Sequence, residues 1–141
     1  MAKSYISSST KQAIFARAQG YCEYCKSPAD FTTEPFSIKH IQPQSKNGSN
    51  DFLNLALACL GCNIYKSDKT TFIDPVSLQI SDLFNPRTMT WEEHFIWDEK
   101  FTSIVGKMAI GRATIEALHL NRRPLRNLRR ALIAIEEHPP K

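Results

Sequence analysis

Four cysteines in two C-x-x-C pairs constrain this chain more than any other feature: Cys22 and Cys25 in YCEYCK, Cys59 and Cys62 in ACLGCN, with 33 residues between the pairs. Two such knuckles can supply four thiolates to one tetrahedral zinc, which leaves no open position for substrate and makes the ion structural. Two disulfides are the alternative, suited to an oxidising compartment. The opening stretch MAKSYISSST carries no apolar run after Lys3, and no apolar stretch in the chain approaches a membrane span. A cytoplasmic, non-membrane protein with reduced thiols is therefore expected, which weighs toward zinc. Zinc bound this way pins residues 21–25 against 59–62 and presents the segment between them on a stapled loop. The chemistry is to be sought inside that loop.

A chain of 141 residues, 42% hydrophobic and 23% charged, suits one domain over 1–141, with a zinc-stapled core at 21–69 and an extension at 70–141. Ser9 and Gln12 form a capping box and Gly20 supplies a stop, so the pattern predicts a helix over 10–19. In PFSIKHIQP, Phe36, Ile38 and His40 share one face of a short strand ending before Pro43. QSKNGSND is turn chemistry, with Asn47-Gly48 its strongest signal. LNLALAC is a second strand able to pair with the first, and NIYKSDK continues as a short helix. VSLQISDLF alternates like a hairpin, while WEEHFIWDEKF, with Trp91, His94 and Phe95, reads as helix or strand and makes His94 structural. GRATIEALHLN predicts a helix over 111–121. Another spans 124–137, opened by Pro124 and striped by Leu125, Leu128, Leu132 and Ile135.

Net charge is only +4, but NRRPLRNLRR, residues 121–130, holds five arginines and no acid. Arg122, Arg126, Arg129 and Arg130 fall off the apolar stripe, and a basic face of this kind suits nucleic-acid phosphates, with a log-log salt slope of about −4 for four or five contacts. An acidic patch at Glu92, Glu93, Asp98 and Glu99 could pair with it instead.

Residues 21–69 resemble the zinc-stapled HNH endonucleases of the ββα-metal fold, in the order of the two knuckles, His-Ile-x-Pro at 40–43, the Asn-Gly turn, Asn54-Leu55 and Cys62-Asn63-x-x-Lys66. The remainder resembles the C-terminal part of small standalone bacterial HNH proteins. The resemblance implies an α+β fold: a ββα core closed by the four-cysteine zinc, an N-terminal helix and a helical C-terminal extension. It also implies hydrolysis of DNA phosphodiesters, with double-stranded DNA the natural partner. His40 then matches the general base, Asn54 the middle residue that orients the site, and Asn63 the third letter, an amide ligand to one catalytic Mg2+ or Mn2+. A helix beginning at Asn63 would point its positive end at phosphate. Gln44, Lys46, Lys66 and Lys69 would ring the groove as phosphate contacts.

Lys39 departs from that pattern, because the family normally carries Asp or Glu there as a second ligand to the ion. An ammonium has no lone pair to give. Exchanging −1 for +1 about 4 Å from a 2+ ion changes four unit-charge interactions of about 4 kcal/mol each, a nominal penalty on the order of 16 kcal/mol. Three outcomes follow. Another acid, with Asp30, Glu34 and Asp51 nearest in sequence, replaces the missing ligand; Lys39 itself meets the phosphate; or the domain binds nucleic acid without cutting it.

Overall fold

In a computed structural model describing residues 5–140, the opening residues around Lys3 lie outside the described residues. The described chain forms two compact units: the residues up to Thr70 with Asn85–Arg87, and Thr71–Phe84 with the residues from Thr88 onward.

The first unit opens with helix α1, Ser8–Arg17. It starts two residues before the expected helix, because Ser7 rather than Ser9 is the cap. The Ser7 hydroxyl accepts from the Thr10 amide at 3.2 Å and donates to the Thr10 hydroxyl at 2.9 Å. Gly20, at φ 75°, follows the helix and donates its amide to the Phe15 carbonyl. Strands β1, Ser37–His40, and β2, Leu55–Ala58, pair antiparallel as expected, with Ile38 opposite Leu57 and His40 opposite Leu55. Helix α2, Leu60–Lys66, follows β2 directly. Ile14 of α1 and Leu55 and Leu57 of β2 form a small buried cluster, flanked by Ile6, Ala18, Phe36 and Ile38. Arg17 ties α1 to the approach to β2, donating to the Phe52 and Leu55 carbonyls with its guanidinium 3.8 Å from the Phe52 ring centroid.

The second unit contains two hairpins and three helices. Thr71–Ile73 (β3) pairs with Ile80–Asp82 (β4), so the hairpin is shifted from the one expected in VSLQISDLF: its first strand precedes that stretch, and Val76–Gln79 belong to the turn. Buried Asp74 organises its turn, accepting both the Arg112 guanidinium N–H groups at 2.8 Å and the amides of Val76 and Ser77. The Arg112 guanidinium holds the Asp74 carboxyl well below the usual carboxylate range. WEEHFIW is both helix and strand: α3, Trp91–His94, runs into β5, Phe95–Trp97, which pairs with β6, Ile104–Gly106. His94 is buried edge-on to Phe84. Helix α4 spans Ala109–Leu118 and packs on β3, β4 and β6. Helix α5 spans Arg123–Ala134, with Pro124 in its first turn.

The basic face expected on α5 is corrected by burial. Its buried stripe is Leu125, Arg129 and Leu132, whereas Ile135, placed in the stripe from sequence, is 56% exposed. Arg129 donates to the carbonyls of Thr102 at 2.9 Å and Leu120 at 2.8 Å and to the Asn121 side chain, with Trp97 beneath its guanidinium. A hydrogen-bonded guanidinium with a long apolar stem can fill a core position, which a polarity pattern does not anticipate. Arg122 turns back to the carbonyls of Leu118 and His119, tying off the end of α4. Arg126 is half-buried, and Arg130 remains exposed beside Asn127. Arg129→Met should destabilise this unit by about 3 kcal/mol, from hydrogen bonds to a charged group worth about 1.5–3 kcal/mol each. That corresponds to a thermal midpoint lower by about 10–20 °C. Arg130→Met should change stability by under about 0.5 kcal/mol. Equal midpoints for the two variants in thermal unfolding would refute the buried anchor.

Candidate active site and metal centre

The cysteine knuckles converge as their spacing suggested. The four sulfurs of Cys22, Cys25, Cys59 and Cys62 are buried, lie within 4.8 Å of one another and form no disulfide. Cys25 and Cys59 Sγ are 3.6 Å apart. Ligands at 2.3 Å around a tetrahedral ion stand about 3.8 Å apart, so the set can hold a metal such as zinc. Burial pushes the Cys22 thiol well up, while contacts from the other three sulfurs hold Cys59 down. Cys59 is also the cap of α2, its sulfur accepting from the Cys62 amide. The start of α2 is thus committed to the metal centre. The expected helix start at Asn63 is corrected: Asn63 lies in the body of α2.

The first knuckle is braced from two sides. Glu23 exchanges backbone hydrogen bonding with Leu57, its amide donating to the Leu57 carbonyl, and its carboxylate accepts the Leu57 amide at 2.8 Å. Arg87 forms an ion pair with the same carboxylate. Burial pulls the Arg87 guanidinium down to about 10.

An open cleft of about 330 Å³ is lined by Ile38, Lys39, His40, Pro43, Gln44, Ser45, Asn63, Ser67 and Asp68. His40 ends β1, and its Nε2 is 2.7 Å from Oδ1 of Asn50. The same oxygen accepts from the Gln44 amide nitrogen at 3.3 Å. A carbonyl-type oxygen only accepts, so Nε2 carries the proton and Nδ1 is the basic nitrogen.

The loop returning from His40 to β2 is built by Asn54 and Gly48. Asn54 Oδ1 accepts the Gln42 amide at 2.9 Å, and its Nδ2 donates to the carbonyls of Gln42 and Ser49. It orients the loop and is not among the residues lining the cleft. Gly48 passes so close to the preceding chain that a Cβ would stand 1.6 Å from the Gln42 carbonyl oxygen, which only glycine tolerates.

Asn63 does line the cleft, and its carbonyl accepts from Lys39 Nζ at 3.2 Å. Lys39 therefore turns inward instead of swinging to solvent, and burial pulls its ammonium below the ordinary lysine value. Asp30, Glu34 and Asp51 do not line the cleft; among its described lining residues the carboxylate is Asp68, in the turn after α2. Ser67 precedes it at φ 50° and ψ −129°, a backbone state normally left to glycine. The residues do not fit a divalent ion. Magnesium is usually held by one or two carboxylates. Here one carboxylate faces an ammonium that would repel a 2+ ion by about 8 kcal/mol at about 4 Å and an effective dielectric of about 20.

Lys66 is corrected as a phosphate contact. It is 1% exposed, and Nζ donates to the carbonyls of Ile41 and Lys69 at 3.0 Å each, tying the end of α2 to the loop after β1. Burial, with help from Lys39 and Lys46, pulls its ammonium down to about 8. Unfolded, it titrates near 10.4, so between about pH 8 and 10 the unfolded chain binds the extra proton. Stability should therefore rise with pH across that window and fall as pH returns to 8. Urea midpoints at about pH 7.5 and 9.5 should show the rise, and Lys66→Met should lack it. Lys46 is exposed, with Nζ on the Asp68 carbonyl at 2.9 Å.

An antiparallel hairpin, a following helix and a four-cysteine centre joining the two define a ββα domain of the α+β class. Over residues 22–69 the chain matches the family model described as HNH endonuclease. No curated protein and no solved structure matches the chain. None of the described helices is long and apolar enough to cross a membrane.

Asn50 and Asp68 were missed from sequence. Asn50 was absorbed into a turn-forming run, and nothing local distinguishes it from its neighbours. Asp68 follows the Cys-Asn-x-x-Lys segment, where an acid beside lysines reads as an ordinary solvated helix end.

Proposed function

We propose that this chain is an HNH-type nuclease acting on DNA phosphodiesters, with its structural centre held by zinc on Cys22, Cys25, Cys59 and Cys62. The observation that carries the reading is the His40–Asn50 pair at a cleft that Lys39 also lines, within the segment that matches the HNH model. Asn50 fixes the tautomer and orientation of the ring, and Nδ1 takes a proton from water. The water oxygen bonds to phosphorus as the bond to the leaving ester oxygen breaks, and that oxygen takes its proton from solvent. The products are a phosphomonoester and an alcohol. Asn54 holds the loop around the base. Lys39 and Lys46 serve as phosphate contacts at the cleft. Among the arginines, exposed Arg130 and half-buried Arg122 and Arg126 remain candidates for phosphate contacts, whereas Arg129 is committed to the core. No step passes through Mg2+ or Mn2+.

The second reading, a protein that binds nucleic acid without cutting it, is favoured by Lys39 alone. Plasmid cleavage by the zinc-loaded chain and by His40→Ala decides between them. The assay is run with Mg2+, with Mn2+ and with no added divalent ion, without chelator so that the structural ion stays in place. Cleavage lost in His40→Ala supports the nuclease; binding with no cleavage under any condition supports the second reading.

A further inference from the structure

Four lysines are fixed around the end of α2 by backbone carbonyls and not by carboxylates. Lys39 is held at Asn63, Lys46 at Asp68, Lys66 between Ile41 and Lys69, and Lys69 at Tyr65. A carbonyl orients an ammonium without cancelling its charge. The effect is collective: Lys66 senses the charges of Lys39, Lys46 and Lys69, with Asp68 the acid opposing them. An ammonium carries three N–H donors. The hydrogen bond of Lys39 to Asn63 uses one, leaving donors on the residue adjacent to His40 in β1. Four ammonium groups against one carboxylate give the end of α2 a net positive field, which selects oxyanions and disfavours free cations.

We propose that Lys39 is the cleft's own cation, its ammonium binding a non-bridging oxygen of a phosphodiester beside His40 so that substrate is held without a divalent ion. The inference rests on the nuclease reading of the cleft and adds how that cleft takes its substrate. Lys39 is a binding residue that touches the phosphate, and Asn63 positions it through its carbonyl.

The test is fluorescence anisotropy of a short labelled DNA duplex on the zinc-loaded full chain, in resin-treated buffer with and without Mg2+ at matched ionic strength. The unaltered chain should bind equally in both, within about threefold, and Lys39→Met should bind about tenfold more weakly with a salt slope smaller by about one. Lys39→Arg, which keeps the charge, should restore most of the affinity. Tightening by Mg2+ beyond about threefold in the unaltered chain overturns the proposal, and that arm depends on no variant folding. Unchanged affinity and salt slope in a folded Lys39→Met overturns it as well. Mg2+-dependent binding together with cleavage lost in His40→Ala would remove this inference and leave the nuclease standing. No duplex binding in either buffer would remove both.

Discussion

Cys62→Ser should leave the first unit unfolded at neutral pH and room temperature. The unit's buried apolar residues are few: the cluster of Ile14, Leu55 and Leu57, the small Ala56 and Ala58, and Tyr24 beside the cysteines. Structural zinc contributes an apparent 10–16 kcal/mol in zinc-finger peptides at about pH 7, comparable with the whole stability of a domain, about 5–15 kcal/mol. An ion held by the four sulfurs would also join the segments that matter: Cys22 and Cys25 precede β1, while Cys59 caps α2 and Cys62 lies within it. Losing one ligand therefore releases α2 from the knuckle and takes Asn63 and Lys66 away from β1. Zinc content should fall from about one ion per chain, and the dispersed amide signals of β1, β2 and α2 should collapse. Retention of those signals in a metal-free Cys62→Ser chain would show that the core stands without its staple.

His40→Ala should lower the rate of cleavage by about 10²–10⁴, the range set by removal of a general base. Duplex affinity should stay within about twofold, because the loss falls on proton transfer and not on phosphate binding. Asn50→Ala should reproduce part of that loss in kcat with KM little changed. Its oxygen touches the ring and not the substrate; it holds Nε2–H at 2.7 Å and so presents Nδ1 as the basic nitrogen. Asn54→Ala should behave differently. Three hydrogen bonds from its side chain hold the 42–49 loop, so its loss should lower thermal stability as well as rate. A His40→Ala protein that cleaves at the unaltered rate would reassign the base.

Much of the first unit was legible because its determinants are local. The doubled C-x-x-C spacing announced the four-cysteine cluster, β-type alternation announced β1, a short apolar run announced β2, and Pro43 with Asn47-Gly48 announced the turn. Cap chemistry was less exact, since Ser7 and Ser9 offer the same hydroxyl two residues apart and only the partner Thr10 chooses between them. Lys66 and Arg129 were misread for one common reason. Long cationic side chains look solvated in a pattern, yet each can be buried when carbonyls from distant segments converge on it. Here the carbonyls of Ile41 and Lys69 receive Lys66, and those of Thr102 and Leu120 receive Arg129.

By itself the sequence determined that four thiols would meet, that a hairpin and a helix would follow in ββα order, and that His40 would end a strand inside the stapled loop. These follow from spacing and alternation, which act over a few residues. Tertiary structure alone decided that Lys39 turns inward to Asn63, that Asn50 orients His40, and that Asp68 faces the cleft. Each depends on where β1, the returning loop and the end of α2 meet, and side chains brought together by such a meeting leave no period in the chain to be read.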